Sequence, residues 1–163
     1  MQLFLLRHAE AEDTYPDDLR ELTAKGEKTM TRLCRALNKS QFKGVKTIFH
    51  SPLVRARQTA ELLQEGLELS QPLQERRGLR PEDNPLILIP DLLSADEDTL
   101  LVGHNPHLSI LADALMLQQS SGGLIDFKKA GMLCLTRICE PTPASPYGEW
   151  LLSWFIIPRI LDR

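Results

Sequence analysis

Along this chain, short uninterrupted apolar runs end in polar clusters, and each is followed by a longer stretch with apolar residues three and four apart. The first run, Leu3-Phe4-Leu5-Leu6, reads as a strand buried on both faces of a parallel sheet, and Arg7-His8-Ala9-Glu10 emerge at its carboxyl end. After an acidic, polar loop over residues 11–22, Thr23 is placed to cap a helix. There Met30, Leu33, Cys34 and Leu37 fall at i, i+3, i+4 and i+7, and the helix runs to about Lys39, with Gly44 ending the connection.

Residues 45–49 are rich in β-branched and aromatic side chains and predict the second strand. Ser51-Pro52 then read as N-cap and first residue of a helix through Gly66, whose apolar face is Ala56, Ala60, Leu63 and Leu67. Residues 99–102 are a further buried strand, and Gly103-His104-Asn105-Pro106 turn it into a helix with Leu108, Leu111, Ala112 and Leu115 on one side. Residues 132–138 and 149–157 read as an antiparallel pair closing the sheet edge around a proline-rich loop.

The stretches between are less regular. Residues 68–85 are charged and proline-rich, with a short strand expected near 72–74. Asn84-Pro85 open a helix that Pro90 kinks or splits, Asp96-Glu97-Asp98 read as a solvated turn, and residues 118–123 form a polar loop. Strand, polar turn and helix in repetition define an α/β fold: a three-layer α/β/α arrangement on a mostly parallel open sheet.

Composition narrows this further. With 163 residues and 42% hydrophobic content, the chain reads as one domain over 1–163 with a full core. A net charge of −3 and a pI near 5.8 offer no basic field for nucleic acid, so an anion site must be local. Cys34, Cys134 and Cys139 form no CxxC pair and read as reduced core thiols of a cytoplasmic protein. Arg7 interrupts the opening apolar run too early for a signal peptide, and residues 151–157 fall short of the ~20 a membrane span needs, so no membrane partner is expected.

The turns after parallel strands share one rim, and Arg7, His8, Arg55 and His104 all come from it. Arg55 lies in the first turn of its helix, where free backbone N–H groups already favour an anion. Two guanidiniums and two imidazoles beside helix N-termini describe a pocket for a phosphoryl group. A histidine amid that charge stays neutral more readily, and a neutral imidazole is a nucleophile.

Arg7-His8-Ala9, Ser51-Pro52-Leu53-Val54-Arg55-Ala56-Arg57-Gln58-Thr59 and Gly103-His104-Asn105-Pro106 together resemble the histidine phosphatase superfamily, the phosphoglycerate mutase-like fold. Within it, residues 6–12, residues 102–106, the short length and an ending with Trp154 and Pro158 resemble the SixA-type protein phosphohistidine phosphatases. The resemblance implies that His8 takes the phosphoryl group onto its ring. Arg7, Arg55 and His104 would hold its oxygens, Ser51 and Asn105 would join the substrate-binding set, and neither metal nor cofactor is called for.

One departure matters. Superfamily members acting on phosphate esters carry a mid-chain glutamate as general acid, and the matching stretch here is Gly78-Leu79-Arg80-Pro81, with glycine at the acid position. An alcohol leaves badly without a proton, and a positioned acid is worth roughly 100- to 10,000-fold. A phosphohistidine can leave as neutral imidazole and needs that help less. The expected substrate is therefore a histidine-phosphorylated protein, a phosphotransfer domain or phosphocarrier, and a chain this short has little to spare for a lid that would exclude one. Glu75 or Glu82 as the acid would favour a small-molecule phosphomonoesterase instead, and a phosphate-binding or docking module without turnover is the third reading.

Six further side chains invite a functional reading. His50 reads as a supporting or surface imidazole, and His107 as helix-spaced rather than a zinc ligand with His104. Trp150 and Trp154 read as packing, and Glu10 and Asp13 as solvated loop charges, with orientation of an active-site arginine as the alternative.

Overall fold

The computed structural model describes residues 1–119 and 123–161. Its elements in chain order are β1 (Gln2–Arg7), α1 (Ala24–Ala36), β2 (Val45–His50), α2 (Val54–Gly66), β3 (Leu73–Glu75), α3 (Ile89–Ser94), β4 (Asp98–Gly103), α4 (His107–Leu117), β5 (Met132–Cys139) and β6 (Glu149–Ile156). Six strands form one sheet in the order β3-β2-β4-β1-β5-β6. β3, β2, β4 and β1 run parallel, whereas β5 and β6 are antiparallel additions at one side. This is the mixed α/β, phosphoglycerate mutase-like architecture expected.

The four-residue apolar run of β1 divides between two cores, as a strand buried on both faces must. Phe4 and Leu6 pack with Met30 and Leu33 of α1 and Ala60 and Leu63 of α2. Leu3 and Leu5 pack on the opposite side with Leu108 and Leu111 of α4 and Leu92 of α3. All four β1 side chains are essentially solvent-free, worth roughly 1.5–3 kcal/mol each. Trp150 lies in the second core, and Trp154 stacks at 5.9 Å from Phe4, so both tryptophans pack.

Several local expectations are corrected. Thr23 caps α1 through Gly26 N–H as predicted, but the helix stops at Ala36, because Asn38 and Gln41 form a capping box that starts a separate 3-10 turn, Lys39–Phe42. Ser51 does not cap α2; Leu53 occupies that position with no side-chain cap, since the Ser51 hydroxyl is engaged elsewhere. Pro90 does split its segment, into a 3-10 turn Pro85–Leu88 and the short α3. Asp98 belongs to β4 rather than to a solvated turn, and its carboxylate accepts the Gln2 N–H at 2.6 Å. Cys34 and Cys134 are buried, but Cys139, at the end of β5, is exposed. Part of the loop expected at 118–123 lies outside the described residues. Among the described residues no helix is long and apolar enough to cross a membrane.

Candidate active site

Three adjacent parallel strands deliver the site. In register, Arg7 of β1 stands opposite Gly103 of β4, and His50 of β2 opposite Val102, so His8, His104 and Ser51 all follow directly from the same sheet edge. Backbone bonds lock these exits: His8 N–H donates to the Gly103 carbonyl at 2.9 Å, and Ser51 N–H to the Val102 carbonyl at 3.0 Å. The imidazoles of His8 and His104 meet with ring centroids 4.9 Å apart.

His8 is half-buried, and its Nδ1 lies 2.7 Å from the Ala9 carbonyl oxygen. A carbonyl only accepts, so Nδ1 carries the proton and Nε2 of the neutral ring keeps its lone pair. Burial pushes the His8 pKa down to about 4; the bond to Ala9 opposes this, and the charges of Arg55, Arg7 and Lys129 reinforce it. The ring is therefore neutral at pH 7.

His104 is almost fully buried, and its Nε2 is 2.8 Å from the Ser51 hydroxyl. That hydroxyl also accepts the Leu53 N–H at 3.4 Å, and by donating its own proton to Nε2 it would place the His104 ring proton on Nδ1. Nδ1 has no hydrogen-bond partner among the described residues. Burial, followed by the neighbouring charges of His8, Arg55 and His107, lowers the His104 pKa to about 2.

Both arginines arrive already held. Arg7 Nη1 donates to the Phe127 carbonyl at 2.6 Å, while its buried Nε has no partner; burial lowers its pKa against the opposing charge of Asp126, yet a guanidinium stays cationic. Arg55, with a side chain only 5% exposed, donates from Nη1 to the Asp17 carbonyl at 2.8 Å and from Nη2 to the Asp17 carboxylate at 3.0 Å. Asp17 comes from a 3-10 turn, Asp17–Leu19, in the acidic loop. The arginine partner is thus Asp17 and not Glu10 or Asp13: Glu10 bonds Lys25 at 3.1 Å, and Asp13 reaches only Arg20 at 3.9 Å.

Ser51 and Asn105 differ from their expected places. Ser51 is solvent-free and sits behind His104 as its partner. Asn105 Nδ2 donates at 3.3 Å to the Phe127 carbonyl, the same oxygen that holds Arg7. The Ser51 hydroxyl is thus engaged within the protein, whereas Asn105 Oδ1 has no partner among the described residues. Glu75 is exposed at the end of β3, its Cα paired with that of His50, and Glu82 is exposed 3.9 Å from Arg80. Gly78 is buried at φ +88°, where an L side chain is strained and a Cβ would lie 3.0 Å from Ile87. No acidic side chain is accommodated there.

Thr59 was not anticipated. It is fully buried; its Oγ1 accepts the Ala9 N–H at 3.0 Å and donates to the Arg55 carbonyl at 2.6 Å, tying α2 to the residue after His8. Its position one turn after Arg55 on the same helix face was the available signal. His50 is buried rather than at the surface, with Nδ1 donating to the Ser51 carbonyl at 2.9 Å. His107 is solvent-free, its pKa lowered by burial against the opposing Gly78 backbone and Asp83. Among the described residues no three metal-ligating side chains cluster.

A neutral imidazole whose Nε2 keeps its lone pair, an adjacent imidazole and two guanidiniums are groups chemically able to accept and hold a phosphoryl group. The chain belongs to the histidine phosphatase superfamily, branch 1, whose pattern residues 3–83 match. It is 35% identical over 144 residues to an uncharacterised protein of Picosynechococcus sp., covering 83% of this chain and 84% of that one. Its fold matches the protein histidine phosphatase SixA complexed with tungstate at a TM-score of 0.80 and 24% identity, over 99% of this chain and 100% of the other. It also matches a phosphoserine phosphatase mutant from Entamoeba histolytica bound to phosphoserine at a TM-score of 0.67 and 16% identity, covering 97% and 98%.

Proposed function

We propose that this protein hydrolyses phosphohistidine on a partner protein through a covalent phospho-His8 intermediate. The observation that carries the reading is the His8–Ala9 hydrogen bond, which leaves Nε2 unprotonated and fixed in direction. His8 Nε2 attacks phosphorus as the P–N bond to the substrate imidazole breaks. The substrate ring leaves neutral, because its other nitrogen already carries a proton. Water then attacks the phospho-His8 bond, giving inorganic phosphate and restoring the His8 lone pair.

Charge spreading over the equatorial oxygens is met by the remaining N–H groups of Arg7 and Arg55 and by the Nδ1–H of His104. These fixed charges supply what a metal would supply elsewhere, so the reading needs none. A glycine at the expected acid position favours a leaving group that needs no proton.

Phosphate release from a histidine-phosphorylated carrier protein and from a panel of small phosphate esters, compared for wild type and His8→Ala, tests the proposal. Release from phosphohistidine, abolished by His8→Ala and accompanied by acid-labile, base-stable phosphoenzyme in wild type, is the expected result. Faster release from esters would transfer the reading to a small-molecule phosphomonoesterase. Phosphate binding without any release would leave a docking module.

A further inference from the structure

At the guanidinium of Arg7 opens a groove of about 1010 Å³, built from the exit of β1, with Arg7 and Glu10, and from three further segments remote in sequence. Helix α1 contributes Lys25, Lys28 and Arg32, the loop before β5 contributes Lys128 and Lys129, and the final 3-10 turn contributes Arg159. Among the described residues one carboxylate, Glu10, shares the lining, in a protein whose net charge is −3. The basicity is therefore local and not a property of the whole surface.

Its geometry fits an extended anionic segment. Lys25, Lys28 and Arg32 stand at i, i+3 and i+7, one row along about 10 Å of helix. Glu10 engages Lys25 and, at 3.8 Å, Lys129, and Lys128 pairs with Asp126. Lys28 and Arg159 have no carboxylate partner among the described residues. Among the described residues the lining contains no aromatic side chain that could serve as a stacking platform for nucleic-acid bases.

We infer that this groove docks an acidic segment of the histidine-phosphorylated protein, flanking the phosphohistidine whose phosphoryl group enters beside Arg7. The inference rests on the phosphohistidine reading above and adds the chemistry of the partner's surface. Carboxylates on that segment meet Lys28 and Arg159, steering encounter and lowering KM without touching the reacting atoms.

The test uses two synthetic peptides carrying phosphohistidine, one flanked by three glutamates and one by three serines, with free phosphohistidine as a reference. Wild type is expected to show a KM roughly tenfold lower for the glutamate peptide at low ionic strength, a gap that closes near 1 M salt. Lys28→Glu with Arg159→Glu, both exposed positions, is expected to abolish the gap while leaving turnover of free phosphohistidine unchanged. Equal KM values in wild type, a gap that survives the double substitution, or an equal slowing of free phosphohistidine would each overturn the inference. Displacement of the glutamate peptide by inorganic diphosphate at lower concentration than by triglutamate would overturn it in favour of a small polyanion. If wild type releases phosphate from neither peptide, the phosphohistidine reading falls by itself. Calorimetric binding of the unphosphorylated glutamate peptide then decides the groove separately: binding lost in the double variant sustains it, and no binding ends it.

Discussion

Asp17 holds Arg55 twice, through its main-chain carbonyl at 2.8 Å and its carboxylate at 3.0 Å. The two contacts have opposite consequences for an arriving anion. The carbonyl positions the guanidinium, whereas the carboxylate, itself held below the ordinary range by Arg20 and then by Arg55, puts negative charge beside the guanidinium proposed to bind the phosphoryl dianion. That carboxylate is about half exposed, so screening limits the repulsion to roughly 0.5–1 kcal/mol. Asp17→Asn keeps the carbonyl contact and is expected to tighten inhibition by phosphate and vanadate about two- to fivefold. Inhibition constants for the two proteins check this, and weaker inhibition would mean that the carboxylate chiefly positions Arg55.

The pH profile follows from His8. Its pKa lies near 4 instead of the usual 6.5, first because the ring is buried and then because Arg55, Arg7 and Lys129 disfavour a further positive charge. The reactive form is the neutral ring, so activity is lost as pH falls through the His8 value. We expect kcat/KM for a phosphohistidine peptide to show no acid limb from the enzyme between pH 7.5 and about 5 and to drop below that, since this parameter reports the free enzyme together with the free substrate, whose own ring gains the proton it needs for departure over the same range. An acid limb at pH 6.5 would contradict the depressed value.

Much of this site was legible because its groups sit where periodicity changes. Leu3 to Leu6 end abruptly at Arg7-His8, and β4 ends as abruptly at His104, so strand ends could be read directly. Arg55 followed from its place in a first helical turn. Asp17 was not legible, since it reaches Arg55 from a loop across 38 residues of sequence, and no local pattern encodes that approach. Ser51 resembled a helix cap because serine before proline commonly is one; burial against His104, a tertiary contact, gave its hydroxyl another partner. The basic groove was invisible for the same reason, its charges being spread from Lys25 to Arg159.

Thr59 offers a separate check on how the nucleophile is held. One buried hydroxyl serves the Ala9 N–H and the Arg55 carbonyl. Thr59→Val preserves shape but leaves the Ala9 N–H without an acceptor, costing about 1–3 kcal/mol. It also loosens the peptide whose carbonyl orients His8. Urea unfolding is expected to show that loss, and kcat is expected to fall about tenfold with little change in KM. Unaltered kcat alongside reduced stability would confine Thr59 to a structural part.

His104 links the site to acid stability. Its pKa is about 2 in the folded protein, lowered by burial and then by His8, Arg55 and His107, against an ordinary 6.5 when unfolded. Between those values the unfolded chain binds the proton and the folded chain does not. Stability from this residue is therefore complete above pH 6.5 and declines as pH falls, by up to about 1.4 kcal/mol per unit. From pH 7 to pH 5 the loss is roughly 2 kcal/mol, and His107, depressed in the same direction, adds to it. His104→Gln cannot titrate. Its unfolding free energy, measured by urea titration at both pH values, is expected to fall roughly 2 kcal/mol less than that of wild type, even if the variant is less stable at pH 7. An identical pH dependence in the two proteins would show that His104 is not held neutral in the folded state.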